Sequence, residues 1–224
     1  MREIVLDTET TGLDPEAGHR IVEVACLELM YCVPTGRHFR KYVNPERDMP
    51  ADAQSVHGLT AEFLARHPPF GQIVEEFLAF IDDAPLVIHN AQFDLRFLNA
   101  ELARVGRPPL DPARAVDTVA LARQRFPGAQ VSLDALCRRF EIDTSARTLH
   151  GALLDCQLLA DVYLELRGGR QPGFDLGQVR GAGGQAQPAE RRPVRPPRPH
   201  APTQEEIGAH EALLGKIKDP IWRR

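Results

Sequence analysis

The chain opens on a short apolar run, Ile4-Val5-Leu6, and then nearly alternates apolar and polar positions from Arg20 to Met30 and again from His38 to Val43. A period of two marks half-buried strands, so these segments predict a three-stranded meander. Pro34-Thr35-Gly36 supplies turn chemistry for its connections. From Phe70 to Ile81 the apolar positions are 70, 73, 74, 77, 78 and 81, the period of a helix. A second buried strand, Leu86-Val87-Ile88, is followed by a helix from about Ala91 to Val105 that stops at Gly106 and Pro108. Further helices fit Val119 to Phe126, Leu133 to Phe140 and Gly151 to Leu166. Strands followed by helices predict an α/β domain with a mixed sheet flanked by helices.

After Arg167 the pattern stops. Residues 168–202 are rich in Gly, Pro, Gln and Arg with no spaced apolar positions, which predicts a flexible linker. Pattern returns at Thr203, which forms a capping box with Glu206. Ile207, His210, Leu214 and Ile217 then fall on one helical stripe, with Trp222 beyond. The expected organisation is a domain over residues 1–167, a linker over 168–202 and a C-terminal docking segment over 203–224.

Composition narrows the classes. The 224 residues are 43 % hydrophobic, enough for one well-cored domain and a tail. No apolar run reaches the roughly 18 residues that a membrane span needs. Met1 to Asp7 goes directly into strand-like sequence, leaving no room for a signal peptide. Cys26, Cys32, Cys137 and Cys156 form no CxxC pair and sit in apolar segments, so they read as reduced core residues of a cytoplasmic protein. His19, His67 and His200 read as surface residues. The formal net charge is −4, unevenly spread: residues 168–224 hold 10 basic and 6 acidic side chains, leaving 17 basic and 25 acidic before them. An acidic body argues against long tracts of non-specific duplex binding. If it acts on nucleic acid it needs another source of positive charge, and bound metal ions are the natural one.

Three acidic elements offer such a site. Asp7 and Glu9 stand two apart at the end of the first strand and share a face. His89-Asn90-Ala91-Gln92-Phe93-Asp94 follows the second buried strand and places Asp94 in a first helical turn, where the dipole favours a negative charge. In His150-Gly151-Ala152-Leu153-Leu154-Asp155 a spacing of five would set the two side chains about 140° apart on a continuous helix. His150 must therefore stand just before the helix that carries Asp155 if both serve one site. Each element alone has a bland explanation: a solvated strand end, a dipole-stabilised acid, a helix-start histidine. Asp155, however, is flanked by Leu153, Leu154, Leu158 and Leu159, a poor setting for an unpaired charge. Oxygen ligands with open positions suit Mg²⁺ or Mn²⁺. Two such ions roughly 3.5–4 Å apart can hold the attacking and leaving oxygens of a displacement at phosphorus, while a histidine takes the proton of the attacking water.

Leu6-Asp7-Thr8-Glu9-Thr10-Thr11-Gly12, the His89–Asp94 segment and the His150–Asp155 segment resemble the three motifs of the DEDDh superfamily of 3′→5′ exonucleases. Phe126-Pro127-Gly128, Ser132-Leu133-Asp134-Ala135-Leu136-Cys137, Arg147-Thr148-Leu149-His150 and Glu205-Glu206-Ile207-Gly208-Ala209-His210-Glu211 are similar to the proofreading branch that serves bacterial replicases. The resemblance implies a ribonuclease-H-like fold and two divalent ions bound by Asp7, Glu9 and Asp155, with Asp7 bridging and Asp94 reaching one ion. It implies His150 as general base. It further implies a substrate site formed by Asp7, Glu9 and Asp155 with Thr10, Gly12 and Leu13 around the terminal nucleotide, and His57 nearby. Asp52 falls where relatives carry a glutamate.

Gln171-Pro172-Gly173-Phe174-Asp175-Leu176 is similar to clamp-binding peptides, with Gln171 preceding the anchors Phe174 and Leu176; the aromatic-then-aliphatic order departs from the usual one. A segment as short as the Thr203 helix is marginal alone in water, so a partner groove is expected. The resemblance implies that this partner is the polymerase (alpha) subunit, docked through Ile207, His210, Leu214, Ile217 and Trp222, and leaves open a small accessory subunit on the body. The expected activity is removal of nucleotides from a single-stranded or frayed DNA 3′ end. An RNA-trimming enzyme of the same chemistry, an idle clamp–polymerase scaffold and a metal-binding regulatory module are the competing readings.

Overall fold

The computed structural model describes residues 1–145, 149–169 and 201–218, which divide into two units at the break after residue 169. Gln171, Phe174, Leu176 and Trp222 lie outside the described residues. The first unit carries the strands β1 (Arg2–Thr10), β2 (Ile21–Met30), β3 (Val33–Tyr42), β4 (Leu86–Ile88) and β5 (Ala115–Asp117). Its helices are α1 (Ala51–His57), α2 (Ala61–Leu64), α3 (Phe70–Ile81), α4 (Ala91–Arg104), α5 (Thr118–Arg125), α6 (Leu133–Arg139) and α7 (Ala152–Leu166). The second unit holds α8 (Gln204–Leu214). None of the described helices is long and apolar enough to cross a membrane.

The sheet runs β3-β2-β1-β4-β5, antiparallel through the meander and parallel from β1 to β5. Alternation along β1 sorts the core into two faces. Ile4 and Leu6 join Phe39, Phe70, Phe77, Phe97 and Leu98 under α3 and α4. Val5 joins Ala25, Leu27, Val87, Cys156, Leu159 and Tyr163 under α7. A further cluster of Ala122, Leu136, Cys137, Leu158 and Val162 packs α5 and α6 against the outer side of α7. A mixed sheet flanked by helices is thus the observed architecture, as periodicity predicts.

Several boundaries differ from the sequence reading for identifiable reasons. The β2–β3 turn is at Tyr31-Cys32, both with positive φ (53° and 64°), and Pro34-Thr35-Gly36 lies inside β3. The register there steps from Leu27–His38 to Leu29–Pro34, so the glycine serves a bulge rather than the hairpin turn. Cys32, half-buried at that turn, is not a core residue, whereas Cys26, Cys137 and Cys156 are buried as expected. Asp7 and Glu9 lie within β1, paired across from Ala25 and Glu23, not at its end. The three-residue β5 and the short α1 escaped prediction because neither is long enough to show a period. In the second unit the capping box forms as expected: the Thr203 side chain accepts from the Glu206 N–H, and Glu206 accepts from the Thr203 N–H. The helix ends at Leu214, so Ile217 falls beyond it and the four-residue stripe is not continuous; Leu214 is buried while Ile207 and Ile217 are exposed.

Phe77 is fully buried, with its ring 6.0 Å from that of Phe39 and 6.2 Å from that of Phe70. Phe77→Ala is expected to destabilise the protein by about 3–5 kcal/mol, measured as a shift of the urea unfolding midpoint.

Candidate active site

β4 pairs with β1 only at Ile4 and Val5, so the half of β1 from Leu6 to Thr10 has a strand neighbour on its β2 side alone, and Thr8, Glu9 and Thr10 are left to line a cleft. Asp7 and Glu9 share the face that α7 covers; Thr8, between them, points the opposite way. Its hydroxyl donates to Asp94 Oδ1 at 2.7 Å. Asp94 sits in the first turn of α4, entered through Asn90, which takes the left-handed conformation (φ 68°) that asparagine tolerates better than most residues. That entry is locked by the Asn90 N–H donating to Asp117 Oδ1 and by a 2.8 Å bond between His89 Nδ1 and Thr118 Oγ1. His89 therefore works as a local brace, and burial lowers its pKa.

The third element resolves the 140° difficulty as the sequence requires. His150 stands before α7 on an extended Gly151 (φ −155°), and its backbone N–H donates to the Val56 carbonyl, tying this approach to α1. His150 Nδ1 lies 3.2 Å from Asp155 Oδ2; the imidazole side chain is 49 % exposed and the carboxylate 6 %. Water can thus reach the imidazole while the carboxylate stays dry. Ligand atoms of Glu9, His150 and Asp155 all lie within 4.8 Å of one another, a donor set that fits a divalent cation.

Electrostatics place Asp7 and Asp94 in the same cluster. Burial, then the charges of Asp94, Glu9 and Asp155, raise the Asp7 pKa well above the ordinary carboxylate range. Burial raises Asp94 to about 7, against the opposing hydrogen bond from Thr8. These five residues named from sequence are therefore brought together.

A cleft of about 570 Å³ opens beside them, lined in part by Glu9, Thr10, Gly12, Leu13, Asp52 and His57. Leu13 is 80 % exposed at its rim and Asp52 is exposed in the first turn of α1. His57, buried at the end of α1, accepts the Leu59 N–H on Nδ1 at 3.0 Å. Its Nε2 is buried without a hydrogen-bond partner among the described residues. Burial lowers its pKa; the Thr10 backbone opposes this and a charge on His150 would add to it. A second cleft, of about 610 Å³, runs along α4 between Pro15 and Pro112 and contains none of the clustered acids.

His19, read from sequence as a surface residue, lines the first cleft, with Nδ1 3.1 Å from Thr11 Oγ1. A Cβ on Gly12 would come within 2.4 Å of its ring, so glycine is needed where the loop folds over this imidazole. Thr8 and Phe93 stand inside the motifs without a role assigned there, and Glu23 and Thr118 lie outside them. Thr8 could have been found as the opposite-face residue between two acids; Glu23 and Thr118 meet the site only through tertiary packing.

The fold and this clustering of acids with one histidine define a DEDDh-type exonuclease. The exonuclease family (RNase_T) matches residues 4–163. The chain is 55 % identical to a Rickettsia felis protein over 79 % of this chain and 78 % of that one, and 42 % identical to an Escherichia coli protein over 99 % and 97 %. Both relatives are named DNA polymerase III subunit epsilon. The chain belongs to this exonuclease family, in the branch formed by those epsilon subunits. Among solved structures it is similar to exonuclease X in complex with 5′ overhanging duplex DNA (26 % identity, TM-score 0.58, 74 % of this chain and 90 % of that one). It shares the fold of the nuclease domain of 3′hExo, a DEDDh family member (19 % identity, TM-score 0.65, 74 % and 90 %).

The raised carboxylates make stability depend on pH and metal. The unfolded chain releases these protons near the usual carboxylate pKa, while the folded protein retains the Asp94 proton to about pH 7 and the Asp7 proton well above the usual range. The native state then binds more protons than the unfolded one, so stability falls as pH rises through this window. Without divalent ions the melting temperature is expected to drop between about pH 5 and 8, and Mg²⁺ or Mn²⁺ should raise it more at the upper end than at the lower. Differential scanning fluorimetry with and without a chelator checks this.

Proposed function

We propose that this chain is the proofreading 3′→5′ exodeoxyribonuclease of a bacterial replicative polymerase, hydrolysing the 3′-terminal phosphodiester and releasing 5′-mononucleotides. The observation that carries it is the meeting of Glu9, His150 and Asp155 within 4.8 Å, beside the cleft, in a chain related end to end to an epsilon subunit. Asp7, Glu9, Asp94 and Asp155 would hold two divalent cations, Mg²⁺ or Mn²⁺. These ions supply, when bound, the positive charge at the attacking and leaving oxygens. His150 takes the proton of the attacking water; its solvent-reached ring and its contact with Asp155 suit that role. Thr10, Gly12, Leu13, His57 and Asp52 receive the terminal nucleotide in the cleft. A mismatched end enters more readily because it costs less to unstack, so selectivity needs no base-specific contact.

The C-terminal segment docks the polymerase (alpha) subunit through Ile207, His210, Leu214, Ile217 and Trp222, and Gln171, Phe174 and Leu176 engage the sliding clamp. A tether between nuclease and docking segment raises the effective concentration of the nuclease at the primer end, which suits a body of low intrinsic DNA affinity. Residues 1–167 form the nuclease domain, 168–202 the tether and 203–224 the docking segment of a cytoplasmic protein.

Digestion of matched single-stranded DNA and RNA oligonucleotides under Mg²⁺ tests the reading. DNA should be degraded from its 3′ end, and Asp7→Ala or His150→Ala should lower kcat by about 10²–10⁴-fold. A strong preference for RNA, or an Asp7→Ala variant as active as wild type, would reject it. Separately, Ile207→Asp should weaken co-purification with the polymerase subunit while leaving hydrolysis of single-stranded DNA unchanged.

A further inference from the structure

One carboxylate beside the cluster has no part in the scheme above. The β1–β2 register places Glu23 directly opposite Glu9, and both face α7. Like charges directly opposed across an antiparallel pair destabilise it. With its side chain only 2 % exposed, Glu23 has little water to relieve the repulsion. It also adds to the negative charge felt by Asp7.

Two contacts hold it there. Arg40 on β3 places Nε 2.7 Å from Glu23 Oε1. The backbone N–H of Ala152, the first residue of α7, donates to Glu23 Oε2 at 3.3 Å. α7 begins after Gly151 and has no capping side chain of its own. Its first N–H groups lack intrahelical acceptors, and a carboxylate at this end also meets the positive end of the helix dipole. A residue of the neighbouring strand therefore performs the capping, two positions after His150 and three before Asp155.

We infer that Glu23, anchored by Arg40, is a positioning residue for the exonuclease reaction. It fixes the first turn of α7 against β2 so that Asp155 and His150 meet Glu9 at one point. The inference rests on the roles given above to those three residues. A misplacement of about 1 Å in such a site can cost up to 10²-fold in rate, which is the scale on which a lost cap should register. Glutamine at position 23 keeps an acceptor for the Ala152 N–H but loses the charge that Arg40 and the helix end attract, so it should act as a partial substitute.

The full chain is assayed with Mn²⁺ on a single-stranded DNA oligonucleotide, and the Mn²⁺-induced rise in melting temperature is measured in parallel. For Glu23→Ala, kcat should fall by about tenfold or more while KM changes by less than about threefold, and the Mn²⁺-induced rise should shrink. Glu23→Gln should fall between it and wild type. The comparator is Glu28→Ala, which removes another buried β2 carboxylate, paired with Arg2 and Arg37 and facing away from α7. It should lose stability and keep kcat. A Glu23→Ala kcat within about twofold of wild type, or an equal kcat loss in Glu28→Ala, would overturn the inference. Should Glu23→Ala not fold, Glu23→Gln decides by the same twofold criterion. An inactive wild type rejects the nuclease reading and this inference with it; an active wild type with an unaffected Glu23→Ala rejects this inference alone.

Discussion

Mutual repulsion among buried carboxylates is the constraint that organises this site. Asp7 sits among the charges of Asp94, Glu9, Asp155 and Glu23 while itself desolvated. Apart from cations, the remedies among the described residues are local, and include a hydroxyl from Thr8 to Asp94, an imidazole from His150 to Asp155 and a guanidinium from Arg40 to Glu23. None of these is directed at Asp7 itself. The cluster stores unfavourable electrostatic energy that a divalent cation relieves, which couples metal affinity to the same geometry that chemistry requires. It also explains how a body with an excess of acidic residues can work on a polyanion.

The fold supports that strained arrangement from both faces of one strand. Ile4, Val5 and Leu6 of β1 and Val24, Ala25, Cys26 and Leu27 of β2 anchor the sheet in two cores, so the polar half of β1 is carried by structure that does not depend on the site. The loop between β1 and β2 is clamped to α4 twice: Arg20 grips Glu101 through Nε and Nη2 at 2.6 and 2.8 Å, and Arg96 reaches Asp14 at 2.7 Å. The first pair is largely buried and two-pronged, a geometry that holds direction as well as charge. Because this loop supplies Gly12, Leu13 and His19 to the cleft, the clamps fix the cleft wall to the helix that carries Asp94.

The docking role proposed for the C-terminal segment agrees with helix physics. α8 has a complete capping box, yet its apolar residues Ile207 and Leu213 remain exposed. A capped helix of 11 residues that leaves such side chains uncovered is poorly supported by propensity alone. Docking would supply the missing burial.

Periodicity alone located most of the first unit: α3 and β4 fall at the boundaries read from sequence, and α4 to α7 within a residue or so at either end. These are long or strongly apolar elements, in which burial and period report the same thing. The motif order likewise marked Asp7, Glu9, Asp94, His150 and Asp155, because two-residue strand spacing and first-turn placement are local rules. What the chain could not reveal by itself was every relation made across strands or through loops. The Tyr31-Cys32 turn, the opposition of Glu9 and Glu23, the capping of α7 by a β2 side chain and the imidazole of His19 under Gly12 all depend on register and chain reversal. Those are settled by the packing of distant segments, for which a local pattern carries no signal. The residue types were legible in the sequence; which of them touch was decided only when the sheet closed.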